Sequence, residues 1–193
     1  MALTDYRVGD VALFITYAGS IRDGWEEAIR STRQEHEGAY IQVVNGLSVL
    51  DAVHAAHVAF NVLQAHKFGY NKMKNVEAEL IMNLACKNSF SEAIQLVGVK
   101  RDSPIAVLSF SRDEKVALDA LHDAVRVLEL KTVAPDSFRE DAQSWLVRLH
   151  NVRGRQNIED LRGVVIERSA IFYAKYRNRA PQANESPVSQ EEH

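Results

Sequence analysis

Residues 71–99 read NKMKNVEAELIMNLACKNSFSEAIQLVGV, and they contain two apolar helical segments joined by a short polar break. The first segment carries apolar residues at helical spacing, widened by two apolar neighbours: Val76, Leu80, Leu84, Ile81 and Met82. A helix that is apolar on nearly all sides must be covered by other parts of the fold or by another protein. The segment is therefore predicted to pack into a core or to form a recognition surface.

A capping pattern separates the two segments. Ser89 is followed three residues later by Glu92, which is the arrangement of a capping box. The second helix carries Phe90 on its apolar face and is predicted to stop at Gly98, a residue suited to a left-handed C-cap. The stretch contains no nucleophile–base pair and no phosphate-binding loop, so it indicates packing or recognition and not catalysis.

Bulk composition describes an ordinary globular protein of one domain. The chain has 193 residues, 46% hydrophobic residues and a net charge of −3. Its one cysteine, Cys86, excludes an internal disulfide and fits a reducing compartment. The first residues lack a basic segment before an apolar run, and no apolar run approaches the ~20 residues that span a bilayer. We therefore expect no secretory signal and no membrane span, and a cytoplasmic and nuclear location.

Hydrophobic periodicity predicts an α/β fold: a single domain over residues 1–179 with a small mixed sheet covered by several helices. The predicted strands are 8–17, 39–45 and 104–111, with a short edge strand within 128–133. Besides the two central segments, the predicted helices are 21–34, 47–68, 116–127, 135–149 and 158–177. Residues 180–193 are rich in Pro, Gln, Asn, Ser and Glu, which predicts a disordered tail.

Two groups of side chains could support chemistry. Asp51, His54 and His57 follow an i, i+3, i+6 spacing, but metal-binding helices usually carry two histidines at i, i+4. Ordinary hydrogen-bonded histidines are the favoured interpretation, and no metal site is predicted. Cys86 has no histidine close in sequence, so an inert, half-buried thiol is favoured over a nucleophile.

The acidic residues of the central helix do not form a catalytic pair. Glu77 and Glu79 are two residues apart and point about 200° from each other on a helix. Glu79 and Asn83, at i and i+4, could instead hydrogen-bond along one face. A structural role is therefore predicted for these side chains.

Basic residues are concentrated in two places although the whole chain is slightly acidic. Lys67, Lys72 and Lys74 lie in a run without acids, and Arg153 and Arg155 lie in a short basic loop. Local basic stripes can attract a polyanion even when the net charge is negative. Solvated helix faces are the simpler explanation of these residues taken alone.

The central stretch resembles a known family. KMKNVEAELIMNL…NSFSEAIQLVGV is similar to the pattern of the small regulatory subunit of the KEOPS/EKC complex, the TPRKB-like family that binds the atypical kinase PRPK. AVHAAHVAF at 52–60 and IEDLRGVVIERSA at 158–170 fall in the family's order. Lys74 replaces the family's arginine, Ala85-Cys86 replaces Ser-Pro, and Val97 replaces a phenylalanine, which affects details of partner contact and leaves the expected fold unchanged.

The resemblance implies a non-enzymatic subunit without cofactors. Such a subunit would dock on the N-lobe of a PRPK-like atypical kinase and help to hold tRNA, through its single-stranded 3′ end, for threonylcarbamoyladenosine modification. The predicted kinase-binding residues are Val76, Leu80, Leu84 and Phe90. The predicted tRNA-contacting residues are Lys67, Lys72, Lys74, Arg153 and Arg155. Two alternatives stay open: a small metal- or thiol-dependent enzyme using Asp51/His54/His57 or Cys86, and an interaction module with another partner.

Overall fold

The computed structural model describes residues 2–154 and 157–174. The strands are β1 (Thr4–Val8), β2 (Val11–Ala18), β3 (Tyr40–Asn45), β4 (Ile105–Ser111) and β5 (Thr132–Val133). The helices are α1 (Trp25–Glu35), α2 (Ala52–Lys67), α3 (Val76–Ala85), α4 (Phe90–Val97), α5 (Glu114–Val127), α6 (Arg139–Leu149) and α7 (Ile158–Ile171). Short 3₁₀ turns occupy Gly46–Ser48 and Pro135–Phe138. The predicted tail, 180–193, lies outside the described residues.

The α/β fold class is confirmed, but the prediction of a mixed sheet is wrong. The strand order is β1-β2-β4-β3 with β5 also pairing with β2, and the pairings are antiparallel. β2 and β3 run parallel to each other and are joined through α1, as in a split β-α-β unit. β4 lies between them in the opposite direction, so no two neighbouring strands of the described sheet are parallel.

Alternation along the strands divides the core into two layers. Leu13 and Ile15 face one side of the sheet and pack against α2 and α3, whereas Phe14 faces the other side and packs against α1 and α5. This alternation follows from the period of two in a β-strand. Because helices cover both faces, β2 and β4 are buried throughout and are mostly apolar along their whole length.

The strand predicted over 8–17 is divided by a tight turn. Gly9 and Asp10 connect β1 to β2, and Gly9 has φ +58°. A Cβ on Gly9 would also lie 2.9 Å from the ring of Phe60, so glycine is required there on two grounds. The Gly-Asp pair between two extended runs was the sequence signal for this hairpin.

The predicted left-handed cap at Gly98 is wrong. Gly98 has φ −67° and ψ 163°, and it is needed because a Cβ would overlap the carbonyl oxygen of Ile94. The left-handed residue is Cys86, which ends α3 at φ 51°. The predicted cap at Ser89 is confirmed, because its hydroxyl accepts a hydrogen bond from the amide of Glu92 at 3.4 Å.

α6 and α7 form a separate layer at one end of the molecule. Leu146, Leu161 and Val165 bury against Leu50 in a small third core. Arg162 of α7 donates to the carboxylate of Asp51 at 2.7 Å, and Asp51 also caps α2. Among the helices of residues 2–154 and 157–174, none is long and apolar enough to cross a membrane.

Candidate partner-binding surface

The central helix α3 is enclosed by the rest of the fold. Val76, Leu80 and Leu84 are 7%, 1% and 1% exposed, so the prediction that they form a partner surface is corrected. α3 contacts α2, α4 and β3, and α7 covers a further side through Asn83. The cover demanded by its all-round apolar character is therefore supplied from within the chain.

Phe90, the fourth predicted partner residue, remains at the surface. Phe90 and Ile94 lie one turn apart on α4, and each is 38% exposed. Ile94 borders a groove of about 660 Å³ whose opposite wall includes Trp25 of α1, with β3 at its base. This α1–α4 groove contains both acidic and basic side chains, so its charge favours no particular class of partner.

A second apolar surface lies where the ends of α2 and α7 meet. We call it the α2–α7 patch, and it consists of the aromatic residues Phe68, Tyr70, Phe172 and Tyr173, with Ile171 directly before Phe172 on α7. Phe68 and Ile171 are 58% and 55% exposed, the highest values for large apolar side chains in the described part of the chain. A groove of about 490 Å³ runs between the two helices, with Phe68 and Tyr70 on one side and Tyr173 on the other. The patch has the shape and composition of a partner-binding site.

Ring contacts connect the four aromatic residues of the α2–α7 patch. The rings of Phe68 and Tyr70 stack with centroids 6.5 Å apart. Tyr70 meets Tyr173 edge-on at 5.5 Å, and Tyr173 meets Phe172 in the same way at 5.0 Å. Offset and edge-on aromatic pairs are favourable beyond the area they bury. The surface is therefore held in a defined shape before any partner arrives.

Lys72 fastens this surface to the helices beneath it. Its amino group lies 3.2 Å from the ring centroid of Phe172 and donates to the side chain of Asn88 at 2.6 Å. The carboxylate of Glu79 accepts hydrogen bonds from the backbone amides of Lys72 and Met73, at 3.0 Å and 2.6 Å. Glu79 thus fixes the loop before α3, and it does not form the predicted hydrogen bond with Asn83.

The predicted RNA-contacting residues are distributed around this patch and beyond it. Lys67 lies beside the ring of Phe68, with its amino group 5.5 Å from the centroid. Lys74 is exposed just before α3, and Arg153 is exposed in the loop between α6 and α7. Arg155 lies outside the described residues. The structure therefore brings Lys67 and Lys72 together at the α2–α7 patch, and their contact with RNA stays a prediction.

The side chains proposed for a metal-dependent enzyme make structural contacts within the fold. His54 is buried, and its Nδ1 accepts a hydrogen bond from the amide of Leu50 at 3.3 Å. The carboxylate of Asp51 is held by the amide of His54 and by Arg162. Within the described ranges, no group of three or more His, Cys, Asp or Glu side chains could hold a metal ion. Asp51, His54 and His57 thus give no support to a metal enzyme.

Buried histidines predict that stability falls in mild acid. Burial lowers the pKa of His54 to about 3, with a further contribution from the nearby His150, and burial lowers the pKa of His150 to about 4. Both are therefore neutral in the folded protein, whereas the unfolded chain protonates them below about pH 6.5. The unfolded state then binds more protons, so the free energy of unfolding decreases as the pH falls from 6.5 towards 4.

The expected decrease is about 1 kcal/mol per pH unit for each histidine. Urea unfolding at pH 7.0, 6.0 and 5.0 measures it. His150→Leu should reduce the slope, whereas His122→Gln, at an exposed histidine, should leave it unchanged. A slope that is the same in all three proteins would contradict this assignment.

Cys86 is predicted to be unreactive in the folded protein. Its thiol donates to the carbonyl oxygen of Asn83 at 3.3 Å, and burial raises its pKa to about 11. Since the thiolate is the reactive form, a disulfide reagent such as DTNB should modify Cys86 very slowly at pH 7.5 and rapidly in 6 M urea. Rapid modification of the folded protein would instead favour the thiol-enzyme alternative.

The residues of the α2–α7 patch were missed by sequence analysis. The periodicity of the last helix places Leu161 and Val165 inward and leaves Ile171 out of register, and this was the available signal. Phe68 gave a second signal. It is a large aromatic residue directly before Gly69, and it lies outside the apolar stripe of α2. Neither signal shows that the ends of α2 and α7 meet, because more than a hundred positions separate Phe68 from Ile171.

Comparison with known proteins identifies the family of this chain. A family model described as kinase binding protein CGI-121 matches residues 23–171, from just before α1 to the last residue of α7. No curated protein sequence matches the chain at a significant level. The family match confirms the TPRKB-like resemblance and covers both helices that carry the α2–α7 patch. The chain belongs to the CGI-121 family of kinase binding proteins.

Proposed function

We propose that this chain is the non-catalytic, kinase-binding subunit of a KEOPS/EKC-type complex, acting in the cytoplasm and nucleus. It would bind a PRPK-like atypical kinase and help to hold tRNA for threonylcarbamoyladenosine modification. The α2–α7 patch is the main support for the kinase-binding proposal. Phe68 and Ile171 are more than half exposed there, and the chain belongs to a family of kinase binding proteins.

The composition of the α2–α7 patch suits a protein partner. Aromatic residues are enriched among the side chains that dominate binding energy, and they act best in packed pockets that exclude water. Here Phe68, Tyr70 and Tyr173 line a groove into which a partner side chain can insert. A contiguous exposed apolar patch on a globular protein usually marks an interaction site.

The rigidity of the patch also favours binding. The aromatic rings contact one another, and Lys72 ties Phe172 to the loop between α3 and α4. A partner therefore loses little affinity to the ordering of side chains on this subunit.

Reconstitution tests the kinase proposal. The chain, mixed with the PRPK-like kinase of the same organism, should form a stable 1:1 complex in size-exclusion chromatography. Adding the chain should also increase the ATPase rate of the kinase. Separate elution of the two proteins at micromolar concentration, with no change in ATPase rate, would contradict the proposal.

For the tRNA part, we propose phosphate contacts by Lys67 and Lys74. Both side chains are exposed, one at the end of α2 and the other just before α3, and the run 66–76 that contains them has no acidic residue. Phosphate contacts supply affinity without reading sequence.

Salt dependence tests the tRNA proposal. The double variant Lys67→Glu/Lys74→Glu should weaken tRNA binding by the assembled complex and reduce the slope of log K against log[salt] by about 0.7 for each phosphate that is no longer neutralised. Lys115→Glu, at an exposed lysine of α5, is the matched control and should change neither quantity. An unchanged slope in the double variant would contradict these phosphate contacts and would leave the kinase proposal standing.

A further inference from the structure

A buried polar cluster joins α7 to the two helices beneath it. The hydroxyl of Ser169 donates to the side-chain oxygen of Asn83 at 2.6 Å and accepts from the side-chain amide of Asn61 at 3.0 Å. The amide of Asn83 donates in turn to the backbone carbonyl of Ser169 at 3.4 Å. These three residues, here called the triad, lie on α2, α3 and α7. Asn83 is 0% and Ser169 1% exposed.

We infer that the triad sets the rotational position of α7 and thereby presents Ile171 and Phe172 to the partner, so that its members are positioning residues of the binding surface. This inference rests on the proposed kinase-binding function of the α2–α7 patch. Ile171 and Phe172 follow Ser169 by two and three residues on the same helical segment, so a rotation of α7 at Ser169 moves both of them.

The hydrogen bonds of the triad allow one position of α7. Rotating α7 by one residue would place Arg168 or Ala170 opposite Asn83. Ala170 offers no polar side chain, and the long Arg168 side chain does not fit a site where Asn83 is fully buried. A buried amide without a partner is costly, and this cost disfavours the alternative positions.

Within α7, the triad lies between two regions of apolar packing. Beyond it, Phe172 packs against the main core and Tyr173 is buried. The buried apolar residues Leu161 and Val165 pack with α6 and Leu50, at the beginning and middle of the helix. The second half is held to α2 and α3 by the triad and, beyond it, by the ring of Tyr173. Asn61 also lines the groove between α2 and α7, so the triad lies directly beneath the proposed binding surface.

A variant that keeps the core filled but removes the hydrogen bonds tests the inference. Asn83→Leu combined with Ser169→Ala replaces both partners of a buried hydrogen bond with apolar groups, a change that can leave the stability nearly unaltered. Its affinity for the PRPK-like kinase should fall about tenfold, the size of one coupled contact, when measured by calorimetry on the folded protein. Ile29→Ala, in the core on the other face of the sheet, is the control for reduced stability and should bind like wild type.

The possible results separate this inference from the proposed function. Unchanged affinity of the folded double variant, while Ile171→Arg loses binding, overturns the triad's positioning role and leaves the proposed surface intact. Absence of binding by the wild-type chain in the same assay defeats the proposed function itself. If the double variant fails to fold, Ser169→Ala removes a single hydroxyl, and its affinity is measured well below its Tm. Weaker binding by this folded variant, with normal binding by Ile29→Ala, supports the inference, whereas wild-type affinity overturns it.

Discussion

The Ile171→Arg variant is expected to lose kinase binding while keeping its fold. Ile171 is 55% exposed, so arginine costs little in the free subunit. In the complex, the guanidinium would be buried against an apolar partner surface without a counter-charge. Removing an anchor residue and burying an unpaired charge each cost about 2 kcal/mol or more, so the affinity should fall about 1,000-fold. Calorimetry with the purified kinase measures the affinity, and thermal unfolding checks the fold.

Ile94→Arg is the matched control for this variant. It makes the same substitution at another partly exposed isoleucine, on α4 and outside the α2–α7 patch. Its kinase affinity should remain within about threefold of wild type, the range of neutral surface substitutions. Loss of binding in Ile94→Arg with normal binding in Ile171→Arg would move the kinase surface to the α1–α4 groove.

The Leu80→Asp variant is expected to unfold the domain. Leu80 is 1% exposed on α3, within the core between the sheet and α2. Deleting a buried leucine side chain costs about 2–5 kcal/mol, and a buried carboxylate adds to that cost. The sum, about 5 kcal/mol or more, is comparable with the whole stability of an ordinary domain. Circular dichroism and the amount of monomer in solution measure the outcome.

Phe90→Asp distinguishes the exposed residue of the predicted partner surface from its buried residues. Phe90 is 38% exposed at the first turn of α4, where a negative charge also interacts favourably with the helix dipole. This variant should therefore fold and melt close to wild type. If Leu80→Asp also folded normally, the assignment of Leu80 to the core would be wrong.

Most of the fold could be predicted because its signals are local. The buried strands at 11–18 and 105–111 are mostly apolar, and α5 has a clear amphipathic period. β1 was missed because Thr4–Val8 is a polar, largely exposed edge strand. The mixed sheet was predicted wrongly because strand direction depends on where β4 inserts, and no local pattern records that position.

The binding surface could be predicted less well because it depends on long-range contacts. An all-round apolar helix such as α3 needs cover, but sequence does not tell whether the cover is internal or belongs to another protein. Here α7 supplies part of it through Ser169 and Asn83, which are 86 residues apart. Lys72 illustrates the same limit. Its charge suggested contact with RNA, whereas in the structure its amino group contacts the ring of Phe172 and the side chain of Asn88.

Hydrogen–deuterium exchange of the subunit, with and without the PRPK-like kinase, locates the kinase-binding surface without any substitution. We expect the kinase to slow exchange at the end of α2 and its turn, 64–71, and at the end of α7, 168–174. Exchange over α4 and α1 should change little. Protection confined to α4 and the α1–α4 groove, or no protection in a mixture that forms a complex, would contradict the proposal that the α2–α7 patch binds the kinase.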